Sequence, residues 1–179
     1  MKNLFLLSAF LYLGCVPNTE QALVDEGMLS QTLIELSQNF QLAYINNDYE
    51  GASAFMSTDF ETTVFNSNGT ELVIQTQENI ENSGDGWNFD EFVMSNHDVT
   101  FSSDQTTAVI VFNTDGSISF EGGEQNVPYA TRASQTWVNT STGWKVMHSH
   151  WSPRVGAVGV PVEELSLIHI SEPTRLRSI

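Results

Sequence analysis

The chain has 179 residues, with 6 Lys and Arg against 22 Asp and Glu and a net charge of −16. A chain this acidic offers no basic footprint for a phosphate backbone, which excludes nucleic acid as a partner. The acids are spread along the sequence and read as a solvated surface, and the single cysteine can form no internal disulfide.

Residues 1–15, MKNLFLLSAFLYLGC, place Lys2 ahead of an apolar run from Leu4 to Leu13. That run is far shorter than the roughly 20 residues needed to span a bilayer, so it predicts a secretory signal peptide. Gly14 before Cys15 resembles a bacterial lipobox, although Tyr12 stands where that pattern usually has Leu. The expectation is an exported lipoprotein of the bacterial cell envelope, lipidated at Cys15 and touching the membrane only through that anchor, or else, with an ordinary signal peptide, a periplasmic or secreted protein. Residues 16–27 then form a tether.

From residue 28 to 155 the pattern is that of one domain. Met28, Leu29, Leu33, Leu36, Phe40, Ala43 and Tyr44 recur at three- and four-residue steps and predict an amphipathic helix. The run NND at 46–48 ends it, and Tyr49–Met56 predicts a second, short helix. DFETTVF (59–65) predicts a strand, closed by the turn signal NSNG. A third helix is expected over Ile74–Asn82. Five strand candidates follow at 89–101, 106–116, 117–123, 130–139 and 143–152, separated by turn-forming residues. Helices followed by a run of strands predict an α+β fold in which the helices cover one face of a curved, mainly antiparallel sheet.

Residues 156–164 are an extension of the domain. Residues 165–179, LSLIHISEPTRLRSI, resemble a translated sequencing-library adapter and stand apart from the fold. Without the signal and this tail, Arg132, Lys145 and Arg154 face 21 acids, a balance of −18.

The stretch YATRASQTWVNTSTGWKVMHSHWS (129–152) carries Arg132, Ser134, Trp137, Gly143-Trp144 and a closing His148-Ser149-His150. Together with AYINNDYEGASAFMSTDFE (43–61) and AVIVF (108–112), it resembles the nuclear transport factor 2-like superfamily, specifically its SnoaL-like branch. The resemblance covers about residues 28–153 and implies a cone-shaped fold, N-terminal helices packed on a strongly curved sheet. The spacing of Trp and His-x-His is also similar to that of the association domain of calcium/calmodulin-dependent kinase. Isomerase and cyclase members of the superfamily carry catalytic carboxylates in the pocket. Here Asp90 and Asp98 sit in no motif that matches them.

Strict alternation puts Trp144, Val146, His148 and His150 on one face of the last strand, and Lys145, Met147, Ser149 and Trp151 on the other. On the preceding strand Arg132, Ser134 and Thr136 share a face, opposite Ala133, Gln135 and Trp137. Polar groups therefore converge on one side of the sheet, and a concave sheet closed by helices would make that side a pocket. Arg132 is the candidate contact for a ligand carboxylate. Tyr129, Ser134 and Trp144 are further candidate ligand-binding residues. His148 and His150 are candidate general bases, or else a hydrogen-bonded pair lining the sheet. Two histidines without a placed third ligand do not predict a metal site; His97 with Asp98 could complete one only from an adjacent strand. No phosphate-binding loop, cysteine metal motif or nucleophile elbow occurs, so no cofactor is expected. Three readings stay open: a module binding a small, partly apolar ligand in the cone; an isomerase, cyclase or hydrolase using a pocket histidine; and a homodimeric interaction scaffold.

Overall fold

The computed structural model describes residues 24–69, 71–80 and 86–154. Cys15 and the segments expected to be signal peptide, extension and adapter lie outside these residues.

Helix α1 (Glu26–Ile45) starts at Asp25, whose carboxylate accepts the Met28 N–H at 3.0 Å. This satisfies one of the donors that a helix N-terminus leaves unpaired. Leu33, Ser37, Phe40 and Gln41 form its buried stripe, while Met28, at the start of the expected stripe, is exposed. Asn47, in the left-handed region with φ 56°, turns the chain into α2 (Tyr49–Ser53), which Asp48 caps. Strand β1 (Thr62–Phe65) follows. Over residues 74–79 the expected third helix is absent, residues 81–82 lying outside the described ones: Val73–Gln75 is a short strand, β2, and a turn runs from it to the buried Ile80. Its Val-Ile pair pairs antiparallel with β1 instead of continuing a helical stripe.

Four long strands complete the sheet: β3 (Trp87–Phe101), β4 (Thr107–Phe120), β5 (Val127–Thr140) and β6 (Gly143–Pro153). The order is β2-β1-β6-β5-β4-β3, with β1 and β6 parallel and every other pair antiparallel. The two strands expected at 106–116 and 117–123 are one, because Asn113–Gly116 stays in register with both neighbours and makes no turn. Three register shifts bend the sheet, two in β3 and one where Met147 of β6 is left unpaired between Val146↔Trp137 and His148↔Thr136.

The helices cover one face. Trp137, fully buried on β5, takes the edges of Phe40 of α1 and Phe55, at centroid distances of 6.1 and 6.2 Å. Around them Leu33, Ala52, Met56, Ile80, Ile110 and Val146 close the core. The fold is α+β, with N-terminal helices on an open, mixed six-stranded sheet.

Candidate functional site

The bulge at Met147 decides which side chains reach the space under α1. It shifts the phase of β6 by one residue, so that Val146, Ser149 and Trp151 face inward and His148, His150 and Ser152 face outward. The expected convergence of polar groups does occur, since Thr136 pairs with His148, Ser134 with His150, and Arg132 with Ser152. It occurs on the open face of the sheet, away from α1.

Arg132 is exposed and donates from Nε to Ser152 Oγ at 3.0 Å. His148 Nδ1 lies 2.8 Å from Thr63 Oγ1 of β1. Phe65 sits edge-on to both imidazoles, at 5.9 and 5.8 Å. On β4, beyond β5, Val109 and Val111 stand 40% and 41% exposed. The outward residues from Val109 to Asn113, Arg132 to Thr136 and His148 to Ser152 carry no carboxylate, and the exposed Asp98 of β3 pairs with Val111 at their border. Where β1 ends, a groove of about 400 Å³ opens between Phe65, Ser67, Gly69, His150, Trp151 and Pro153.

The inner face carries different chemistry. Gln135 is wholly buried, and its Oε1 accepts from Ser37 Oγ of α1 at 2.7 Å and from Trp137 Nε1 at 3.1 Å. An indole N–H can only donate, which fixes the amide orientation. The Gln135 NH2 group therefore points into the interior, and it has no partner there. His97 enters from β3, where a bulge opposite Phe112 turns it inward. Its ring stacks on Phe112 at 5.6 Å, and Phe112 meets Trp151 at 5.5 Å, across the small Ala133. His97 Nε2 is buried without a partner, and burial lowers the pKa of the imidazole, favouring its neutral form.

Tyr129 also faces inward and is 3% exposed. Hydroxyls of Ser67, Thr114 and Thr131 surround its phenol, and burial raises its pKa. Trp144 is half-buried against the core, near Phe101. Ser134 is half-buried on the open face. Asp90 and Asp98 are both exposed, so neither brings a carboxylate to the interior. His97 and the pair His148 and His150 occupy opposite faces with β4 and β5 between them. No group of His, Cys, Asp and Glu among the described residues is arranged to hold a metal ion.

The description "SnoaL-like domain" belongs to a family model that matches residues 34–156. The chain belongs to the SnoaL-like domain family. No curated protein sequence matches it significantly. Solved structures agree on the fold of this SnoaL-like domain. A nuclear transport factor 2-like superfamily protein from Salmonella enterica aligns with a TM-score of 0.59 at 16% identity, over 79% of this chain and 98% of its own. A nuclear transport factor 2-like protein from Cytophaga hutchinsonii gives 0.55 at 18% identity, over 69% and 97%. The association domain of the C. elegans kinase CaMKII gives 0.54 at 18% identity, over 71% and 97%.

Sequence reasoning left Ser37 and Gln135 out of the candidate set, and weighed His97 only as a metal ligand. One signal was available for Gln135: it is the single amide in the stripe Ala133-x-Gln135-x-Trp137, whose other members are apolar.

Proposed function

We propose that this SnoaL-like domain is an exported binding module that holds a small, partly apolar, neutral molecule between α1 and the inner face of the sheet. The observation that carries this reading is the Gln135 amide. An unpaired buried donor costs about 1–3 kcal/mol, and such groups in native proteins are matched by a ligand or an ordered water. Phe112, Trp151 and Ala133 supply an apolar wall beside it. A neutral molecule fits better than an anion. Arg132 lies exposed on the open face, Lys145 bonds the Ala54 carbonyl at an exposed site and Arg154 pairs with Asp115, so none of these cations reaches the inner face to balance a buried carboxylate.

The test follows the Gln135 side-chain NH2 signals by ¹H–¹⁵N NMR while neutral aromatic ketones are added. Saturable shifts at Gln135 in the parent chain, with a Kd raised about 2- to 10-fold in Gln135→Met when followed at the neighbouring Trp137 indole N–H, support the reading, a loss that matches one net hydrogen bond of about 0.5–1.5 kcal/mol. Unmoved signals, with an ordered water on the amide in a crystal structure, reject it.

A second reading concerns the open face. In a chain of net charge −16, the patch of Val109, Val111, His148 and His150, bordered by a carboxylate only where Asp98 of β3 pairs with Val111, is suited to pairing with a second copy of itself, where like charges would otherwise repel. The association domain among the structural neighbours agrees with such self-assembly. Light scattering of Val111→Asp should give a monomer where the parent chain gives a dimer. A parent chain that stays monomeric at high concentration removes this reading.

A further inference from the structure

We infer that His97 is a second polar contact for the molecule bound at Gln135, so that the ligand class is a neutral compound with a hydrogen-bond acceptor at one end and a hydroxyl at the other. The inference rests on the binding reading above and adds the second end of the ligand.

Two observations independent of Gln135 support it. The first is the bulge between Ser95 and Asp98, with Asn96 held at φ 54°. Positive φ at a non-glycine residue is uncommon and persists where the surroundings impose it. Here it turns an imidazole onto the inner face of an edge strand, where the alternative is solvent. The second is that His97 Nε2 ends up buried and unpartnered, the same condition as the Gln135 amide but on a different strand.

Both groups lie on the inner face of the sheet, under α1. Helix α1 touches β5 through Ser37 and Gln135, and it also packs over β3. Gln135 pairs with Ile110, which pairs with Val99, two residues beyond His97. With strands about 4.8 Å apart and a rise of about 3.3 Å per residue, the two Cα atoms are about 12 Å apart. Both side chains stand on the concave side, so their tips are closer. That separation matches the length of one ring with substituents at opposite ends.

The chemistry of each end follows from the atoms. The Gln135 NH2 donates and needs an acceptor such as a carbonyl oxygen. A neutral imidazole Nε2 donates in one tautomer and accepts in the other, and a hydroxyl can answer either. The imidazole is partly buried, stacked on Phe112 with no carboxylate beside it on the inner face, so a positive charge there gains no partner. That favours holding a hydroxyl over removing its proton.

Acetophenone and 4-hydroxyacetophenone separate the two ends. Both carry the carbonyl, and only the second carries the hydroxyl. Their Kd values are measured on the full chain by NMR titration. The expected result is that 4-hydroxyacetophenone binds about 2- to 10-fold tighter than acetophenone, one net hydrogen bond. His97→Phe should erase that difference while leaving acetophenone unchanged. His97→Gln, which keeps a polar tip, should restore part of it and covers the case in which the phenylalanine variant fails to fold. Equal Kd values in the parent chain, or a difference that survives both substitutions, overturn the inference while leaving the binding reading intact. If neither ketone moves the Gln135 signals, the binding reading falls first and this inference with it.

Discussion

Replacing Gln135 by Met tests whether its amide is truly unpaired in the free protein. The substitution removes the acceptor of two buried hydrogen bonds, at 2.7 Å to Ser37 and 3.1 Å to Trp137. Ser37 lies within α1, and its hydroxyl can turn to the carbonyl four residues back, that of Leu33. The Trp137 N–H has no such escape, and leaving it unpaired costs about 1–3 kcal/mol. The same substitution deletes the unpartnered NH2 group, which returns a similar amount, about 1–3 kcal/mol. Methionine nearly conserves the volume, so repacking adds less than about 1.5 kcal/mol. The two polar effects nearly cancel, and the expected net change is within about 1 kcal/mol. Urea unfolding, with a slope of about 1–3 kcal/mol per molar, should therefore show a midpoint moved by less than about 1 M. For comparison, Trp137→Ala empties the centre of the core and should cost about 3–5 kcal/mol. A loss above about 3 kcal/mol in Gln135→Met would refute the reasoning, because only an amide already bonded in the free protein makes the exchange so one-sided.

Further outcomes follow from particular contacts. A methyl group at Gly116 would run into the backbone carbonyl of Glu91 across the β3–β4 pair, so Gly116→Ala should cost about 1–3 kcal/mol; an unchanged thermal midpoint would contradict that close approach. Gln105 holds both the N–H and the C=O of Val24 at 2.8 Å, so Gln105→Ala should cost about 1–3 kcal/mol and speed hydrogen exchange at the Val24 amide, and unaltered exchange would count against this clamp. Burial lowers the native pKa of His97 below 6.5, so the unfolded chain takes up a proton first and stability falls as pH drops from about 6.5 towards the native value. In His97→Phe that segment of the stability–pH curve should flatten, and a curve parallel to the parent's would show that His97 is not the group responsible.

The fold was largely legible in the chain because its main elements carry strong local patterns. The three- and four-residue spacing from Leu33 to Tyr44 marks α1, and alternation marks the long strands. Local signals failed where tertiary pairing outvoted them. Asn113–Gly116 looks like a turn, yet its polar residues are tolerated within β4 because alternate positions face solvent and Gly116 admits the Glu91 carbonyl. Ile74 looked helical, but β1 offered it an edge. The site was harder to read because alternation assumes an unbroken pleat. One unpaired residue, Met147, moved His148 and His150 to the other face, and the bulge at Asn96 and His97 brought in a histidine that simple counting does not place. Register shifts of this kind depend on the partner strand, and the partner is not visible from the strand's own residues.

The parallel pairing of β1 with β6 has a consequence for synthesis. Thr63 meets His148 across 85 residues of chain, and Ser37 waits for Gln135 across 98. At roughly 5–20 residues per second, the ribosome needs roughly 4–20 s between making either residue and supplying its partner. During that interval the apolar stripe of α1 has no sheet to lie on, and β1 has no long strand beside it. The nascent domain is therefore a natural client for a holding chaperone until its last strand emerges.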